Sequence, residues 1–590
     1  EKSEHSTDEE KAELYYLIAE NLINRGEATK AEKWLQRASD QNLSLEAYNI
    51  VSRLYLRTGR LMEGKRLLLK REKEQPFNKE THIQQSHRET ALLLSIVEAS
   101  LGNGEQCKRY SQKAIEQGLQ MKSLYVEGCG WTRMGHAVQI LSSYDHHLIP
   151  QCYETALNMM DEIQNERGRA EPYMGLCLYY GKQKNSYEQA RHYGMLALEE
   201  TEKVNDMWLT AYIKLALTIA AINEGNWEIA KQTIVETEGL FQECNDLYGQ
   251  TLASLWHTFI AYSLKEWSVF DSAGLKLMQR VQYGHYTFLL TKQTLYGPAD
   301  LQQFIPMLIE AQKRRLLDYL VSRILHELGY SQIDLHPGYT LRVQTLGEFK
   351  VYLGNQEVTD WQRGKAKALF EYFIIHQGSY IPKQQITDAL WAEQDEKTAD
   401  RDFKVALNAL HNALEPERKA RMEPFFIKRS GNSYGLNAES CYKLDAIEFE
   451  DCVLIGLEEK EQMQAKAFLE KGLKLYKGEY MPQLFYEEWC THERERLQGI
   501  FFRGAEKMAQ LSIAMNDPNS AIHWCELILK KEKTWEEAYR LLMYCYYLKN
   551  NRPQSIKWYQ KCCAVLQEEL AVEPLASTKD MYEMIIGTRR

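Results

Sequence analysis

The residues best suited to chemistry lie between 363 and 432, and they suit binding rather than bond breaking. The segment 399–414, ADRDFKVALNALHNAL, reads as an amphipathic helix with Phe403, Leu407, Leu410 and Leu414 along its apolar side. Arg401, Lys404, Asn408, His411 and Asn412 stand opposite, at i, i+3, i+7, i+10 and i+11. That stripe matches what a DNA major groove presents, since Asn pairs bidentately with adenine and Arg with guanine. Thr398 is the expected N-cap of this helix. The segment 425–437, FFIKRSGNSYGLN, reads as two short strands around a Ser-Gly-Asn-Ser turn, with Lys428, Arg429 and Asn432 near its tip. Those three residues suit a phosphate or the minor groove. Arg363, Lys365 and Lys367 gather at the start of another helix, where backbone phosphates would meet them. A solvated helix face looks much the same in isolation; the neighbouring elements favour the DNA reading.

Other chemistries find little support. The stretch 59–66, GRLMEGKR, has the Gly and Lys spacing of a phosphate-binding loop, yet Arg66 replaces the Ser or Thr that would hold Mg²⁺ and no strand precedes it. His146 and His147 have only Asp145 beside them, too few donors for a metal. The twelve cysteines form no C-x-x-C pair, and several sit in apolar helical stretches such as GLCLYY and MYCYYL, as reduced core residues of a cytosolic protein would. Neither a cofactor nor an enzymatic activity is expected. Net charge is −10 over the chain, but 341–437 holds fourteen Lys/Arg against thirteen Asp/Glu, a net +1. So modest a basic bias predicts weak binding to one site and cooperation between two protomers.

The elements around these residues divide into three regions. Residues 1–330 are amphipathic helices of about 12–20 residues separated by short Gly/Asn/Asp breaks. Gly26 and Gly59 end two such helices 33 residues apart, close to the tetratricopeptide period. The pattern returns less regularly near Gly102 and Gly225, which predicts longer, irregular hairpins stacked into a superhelix with a concave surface. Trp131, Tyr144, Tyr173, Tyr179 and Tyr180 serve either to pack such hairpins or to line a ligand groove. One helix over 299–328 is expected to close the region, before the Pro337-Gly338 break. From 341 to 437 the order is strands, three helices and a hairpin, a winged helix-turn-helix at 339–440. Pro382 is expected in the first turn of the second helix. Over 445–590 the helical period returns, and Ala521 aligns with Ser555 at 34 residues, a second tetratricopeptide-like unit. The fold class is therefore mainly α. No apolar run is long enough to span a membrane, the polar opening residues are no secretory signal, and a cytoplasmic protein is expected. The absence of an initiator Met points to a fragment of a longer chain.

Nine ordered motifs give 341–585 a resemblance. They are LGEF (346–349), RGKAKALF (363–370), ITDALW (386–391), FKVALNALHNAL (403–414), SYGLN (433–437), LDAIEFE (444–450), LYKGEYMPQLFYEEW (475–489), ERERL (493–497) and EELAVEPLASTKDMYEMI (568–585). Together they resemble the Streptomyces antibiotic regulatory protein family, an OmpR-like winged helix joined to a bacterial transcriptional activator domain. The opening region resembles the helical arm of MalT-like regulators, chiefly in its terminal helix and loose hairpins. The resemblance implies a transcription activator that binds promoter direct repeats as a head-to-tail dimer. It also implies an activator domain packed on its own winged helix and touching RNA polymerase. The arm would take a small-molecule, peptide or protein signal, and regulators with such arms often carry a nucleotide-binding switch domain upstream. Two departures stand out. His411 and Asn412 occupy places where the family usually has arginines, and Ala571 stands where it favours Gly. The alternative reading is a repeat scaffold whose winged helix contacts protein rather than DNA.

Overall fold

The computed structural model describes residues 8–39, 47–74, 76–80, 88–141, 147–183, 185–331, 333–419, 421–484 and 487–587. Tyr144, Asp145 and His146 lie outside the described residues. The chain divides into two compact units, Glu1–Tyr339 and Thr340–Arg590. Among the described residues no helix is long and apolar enough to cross a membrane.

The first unit is built from paired antiparallel helices. Asp8–Asn24 packs on Ala28–Ser39, Ala47–Arg57 on Leu61–Glu74, Thr90–Ser100 on Gly104–Met121, and Leu124–Ile140 on Leu148–Glu162. Gly59 ends its helix at φ +83°, and a Cβ there would come within 2.5 Å of the Tyr248 backbone nitrogen, so both conformation and close approach require glycine. Lys65, in the loop-like motif, ion-pairs with the buried Glu98 at 2.6 Å.

The middle hairpins were expected to be irregular, and they are not. Ala170–Gly181 with Tyr187–Val204, Met207–Glu224 with Trp227–Glu243, and Leu247–Ser263 with Trp267–Gly284 form three hairpins whose second helices begin 40 residues apart. Left-handed residues punctuate them at Asn185, Gly225 and Lys265 within the pairs, and at Asn205, Asn245 and His285 after them. Asp206 and Asp246 then cap the next helices, accepting from Leu209 N at 3.2 Å and Gly249 N at 3.0 Å. The glycine spacing alone does not show this period, because Asn, Lys and His fill the same left-handed position at the other breaks.

Early and late hairpins of this unit touch. Arg57 donates to both carboxylate oxygens of Asp206 at 3.0 and 2.9 Å, and its guanidinium lies 4.6 Å over the Trp208 ring. Tyr286 Oη donates to Gly59 O at 2.6 Å, and Tyr248 Oη to Ser100 O at 2.9 Å. Trp131, Tyr173, Tyr179 and Tyr180 pack half-buried against Met134, Val138, Ile149, Cys152, Tyr153 and Leu176, so they serve packing. The single helix expected over 299–328 is broken. Ile305–Lys313 and Asp318–Glu327 are separated by left-handed Arg315 (φ 56°) and Leu317 (φ 47°), which fold the second piece back until Gln312 Nε2 donates to Ser322 Oγ at 2.9 Å.

The second unit begins with β1 (Leu341–Gln344), β2 (Lys350–Leu353) and β3 (Gln356–Glu357). These form an antiparallel sheet that β7 (Tyr442–Leu444) extends in parallel, in the order β3-β2-β1-β7. Three helices follow, Gly364–Ile375, Lys383–Leu390 and Glu396–Leu414, enclosing Ala366, Leu369, Phe370, Phe373, Ile386, Phe403 and Leu410. β4 (Ile381–Pro382), β5 (Ile427–Ser430) and β6 (Ser433–Leu436) make the small sheet of the wing, in the order β4-β6-β5. Pro382 is therefore not a first-turn residue. It is extended (ψ 136°), pairs with Ser433 and occupies the N-cap position just before the second helix.

Helices Asp445–Glu458, Gln462–Leu475, Glu488–Ala514, Pro518–Lys531, Glu536–Leu548, Arg552–Leu570 and Ala576–Gly587 complete the unit. The 34-residue period reappears in their caps. Asp517 Oδ1 accepts from Ser520 N at 3.1 Å and Asn551 Oδ1 from Gln554 N at 3.3 Å, while Ala521 and Ser555 are both fully buried. Ala571 is left-handed (φ 55°), a conformation costing an alanine roughly 1–2 kcal/mol where glycine would not be strained.

Candidate nucleic-acid interface

Helix Glu396–Leu414 starts earlier than expected. Asp395, not Thr398, is its N-cap, and its Oδ1 accepts from Lys397 N and Thr398 N, both at 3.1 Å. A cap at Asp395 places Thr398 within the first turn and brings Lys397 into the helix. The buried side consists of Ala399, Phe403, Ala406, Ala409, Leu410, Ala413 and Leu414, with Leu407 half-buried. At about 100° per residue, Lys397, Arg401, Lys404, Val405, Asn408 and Asn412 share an arc of about 100° on the other side. All of these are exposed except Asn412, which is half-buried.

Lys397 and Val405 are additions to the stripe read from sequence. A cap at Thr398 would leave Lys397 outside the helix, and the apolar Val405 carries no hydrogen-bonding signal in the sequence. His411 stands apart from the others. Burial and the nearby Arg418 push its imidazole down to about 4, so it is neutral, and it lies against the Ile427 backbone of β5. It packs the helix onto the wing.

Acidic neighbours already engage the cations of this face. Arg401 Nε donates to Asp402 at 3.0 Å, and Asp400 accepts from both Lys383 and Lys404, the latter at 2.7 Å. Those two ammonium groups hold the Asp400 carboxyl down to about 2. In the wing, Gly431 (φ 62°) and the exposed Asn432 form the turn, and Asn432 O accepts from Lys383 N at 3.0 Å. That bond ties the wing tip to the start of the second helix. Arg429 is exposed with its Nε donating to Gly431 O at 2.7 Å, and Lys428 is half-buried. Arg363 is exposed at the N-cap of Gly364–Ile375. Lys365 donates to Leu390 O at 2.6 Å over the Trp391 ring, closing the C-terminus of the second helix, and Lys367 lies half-buried, its ammonium 5.4 Å from the centre of the Phe349 ring. Of the three, Arg363 projects most freely.

The sheet that carries this platform is fastened to the helices after it. Asp445, first residue of its helix, accepts from Thr345 N (2.7 Å), Thr345 Oγ1 (2.6 Å) and Leu346 N (3.0 Å). Leu346 pairs with Tyr480 in an isolated antiparallel bridge, Met481 N donates to Thr345 O at 2.8 Å, and Gly347 N donates to Glu479 O at 2.9 Å. The buried Arg494 donates from Nε to Tyr480 O at 3.1 Å and from Nη2 to Leu484 O at 3.0 Å, bracing that loop. Gln483 bonds Glu371 at 3.0 Å, and the Tyr372 and Trp489 rings meet edge to face at 5.2 Å. The motifs LGEF, LDAIEFE, LYKGEYMPQLFYEEW and ERERL thus converge on one junction. Among the described residues no cluster of His, Cys, Asp and Glu could hold a metal ion, and nine cysteines are buried and the other three half-buried.

Residues 444–586 match the model of the family described as bacterial transcriptional activator domain. No curated protein matches the chain. Among solved structures, EmbR of Mycobacterium tuberculosis, in complex with a low-affinity phosphopeptide, is 16% identical with a TM-score of 0.37. The match covers 42% of this chain and 65% of that one, just under two thirds. A Rap protein complexed with competence and sporulation factor is 15% identical over 55% of this chain and 94% of its own, also at 0.37. The human IFIT1 dimer with m7Gppp-AAAA is 12% identical over 93% and 95%, at 0.27. At these scores nothing about function follows from the likeness.

Proposed function

We propose that this chain is a cytoplasmic, DNA-binding transcription activator. Its winged helix, of OmpR type, reads promoter direct repeats, its activator domain engages RNA polymerase, and its MalT-like arm receives the regulating signal. The observation that carries the reading is the exposed stripe Lys397, Arg401, Lys404, Val405, Asn408 and Asn412, held on a platform fastened to a domain of the activator family. Arg401 suits guanine and Asn408 adenine, while Arg363, Arg429 and Asn432 suit backbone phosphates on either side. With few phosphate contacts per winged helix, two protomers bind together. A head-to-tail pair presents two different surfaces, so the half-sites point the same way.

The test is a footprint followed by a spacing series. Protection should cover two similarly oriented half-sites spaced near multiples of about 10–10.5 bp. Inserting about 5 bp between them should abolish activation, and a full turn should restore part of it. An inverted-repeat operator, or indifference to the half-turn, would rule out the head-to-tail arrangement. Binding to every duplex with no dependence on salt would rule out phosphate contact altogether.

A further inference from the structure

Four arginines of the first unit converge on two carboxylates. Glu20 lies 3.4 Å from Arg53 Nη1 and 3.1 Å from Arg88 Nε, while Asp206 lies 2.9 Å from Arg57 Nη2 and 3.6 Å from Arg167 Nη2. Arg53 and Arg57 stand one turn apart on Ala47–Arg57, which joins the two sets into one cluster. The pairs themselves carry a surplus of two positive charges. Like charges at i and i+4 on a helix repel, and burial strengthens the repulsion. Burial, with Arg57 and Arg167 nearby, holds the Arg53 guanidinium down to about 9 in spite of Glu20. A seam that served packing alone would match its cations, because a buried charge is favourable only when it is paired. Neighbouring Arg169 is matched in that way, donating to Asp161 at 3.0 Å and to Glu200 at 2.9 Å.

The cluster has a floor and a mouth. The side chains of Arg53 and Arg57 are 7% and 10% exposed, those of Arg88 and Arg167 27% and 42%. Arg57 is committed, since it also donates to Ile23 O at 3.0 Å. Arg167, in the turn Glu166–Arg169, meets Asp206 at a distance too long for a hydrogen bond. We propose that Arg53, Arg88 and Arg167 hold the phosphate group of a small phosphorylated effector, against a fixed wall made by Arg57 and Asp206. The inference rests on the reading of the arm as receiver of the regulating signal, and gives that signal a chemical class. A phosphate monoester carries about −1.5 to −2 charges near neutral pH and offers three acceptor oxygens. It therefore balances the surplus of two, where a carboxylate would balance only one. Guanidinium forks bind phosphate bidentately, which suits arginine rather than lysine at every one of these positions. A surplus of two also falls far short of what a polyanion such as nucleic acid would need.

Inorganic phosphate is the first probe, because it carries the chemistry common to all such ligands. Unfolding midpoints of the full chain are followed as phosphate replaces chloride at constant ionic strength. A ligand bound only by the folded state raises the midpoint with its concentration. Phosphate also stabilises proteins generally by exclusion from their surfaces. That part acts on every variant alike, so the site is read as the difference between wild type and Arg88→Gln or Arg167→Gln. Each variant should bind phosphate about tenfold more weakly, the loss of one hydrogen bond to a charged group. In chloride alone each should unfold at or above the wild-type midpoint, because the change relieves repulsion. By calorimetry, glycerol phosphate should bind at least as tightly as inorganic phosphate, and a phosphoserine pentapeptide more weakly. A phosphate response identical in all three proteins overturns the inference. So do variants that unfold well below wild type in chloride, which would assign the arginines to packing, and a pentapeptide that binds more tightly than the small ester. Duplex affinity, measured with and without glycerol phosphate, tests the underlying reading separately. A chain that binds the ester through these arginines yet holds DNA unchanged keeps the site and overturns the arm as signal receiver.

Discussion

Asp400 stands between two lysines and any phosphate they would meet, and neutralising it probes the interface directly. One carboxylate oxygen accepts from Lys383 and the other lies 2.7 Å from Lys404. With its carboxyl held down to about 2, the group is fully ionised at any working pH. Asp400→Asn removes the charge at nearly constant shape and releases one or both ammonium groups. Each phosphate newly neutralised adds about −0.9 to the slope of log K against log salt, so the slope should steepen by about 0.9 if Lys404 alone turns to the duplex and about 1.8 if Lys383 joins it. The variant should bind more tightly than wild type at low salt, and its advantage should shrink about 3- to 12-fold between roughly 50 and 200 mM salt. Anisotropy titrations of a labelled duplex at four or more salt concentrations supply the slopes. A scrambled duplex should gain equally, because phosphate contacts carry no sequence information. An unchanged slope, or a gain confined to one sequence, would refute the reasoning and show that these lysines face away from DNA.

Three further outcomes are expected. Arg401→Ala and Asn408→Ala should each lose roughly 1–3 kcal/mol of specific binding and relax preference at one base pair. His411→Ala, a packing change, should lower the unfolding midpoint and leave base preference intact; wild-type preference in both of the first two variants would contradict the stripe. Asp445→Ala strands the Thr345 and Leu346 amides in a buried junction and should destabilise the second unit by roughly 3–5 kcal/mol, with Asn recovering part of it. Urea unfolding of the full chain measures this, and a wild-type midpoint would show that the junction is not held there. Burial pushes the Asp246 carboxyl up to about 6 although Trp208, Tyr212 and Gly249 all donate to it. Because the folded value exceeds the unfolded one of about 3.9, this group's contribution is full below about pH 4 and is lost as pH rises through 6. Asp246→Asn keeps one of the two acceptor oxygens, removes the titration and should flatten that part of the pH dependence of the urea midpoint; an identical pH profile in the two proteins would exclude Asp246 as its source.

Short-range chemistry was legible in the residues themselves. The 3.6-residue spacing of Phe403, Leu410 and Leu414 located the core side of the exposed helix, and therefore Arg401 and Asn408 opposite it. The 34-residue echo of Ala521 in Ser555, and the left-handed backbone at Gly26 and Gly59, were likewise legible from residue type and spacing. What escaped was decided by residues far apart in the chain. Thr398 and Asp395 are both competent caps, and local sequence does not choose between them; the folded helix begins at Asp395, which brings Lys397 onto the stripe. His411 falls near the edge of the exposed arc on a helical wheel, and only the approach of β5, sixteen residues later, buries it. The 40-residue period is not legible from glycine spacing, because Asn205, Asn245 and His285 take the left-handed backbone at three of its breaks and Asn185 and Lys265 at two more.

The amino-acid sequence by itself determined the helical class, the winged-helix order of elements and the side of the helix that faces solvent. All of these follow from periodicity and from capping groups a few residues apart. Only the tertiary structure decided that Asp445 reaches back 100 residues to Thr345, joining the first sheet of the second unit to the helices that follow it, and that Arg57 crosses 149 residues to Asp206. An ion pair or a buried carboxylate is favourable only where its partner arrives already desolvated and aligned. That arrival depends on how every intervening helix packs, which no local pattern encodes.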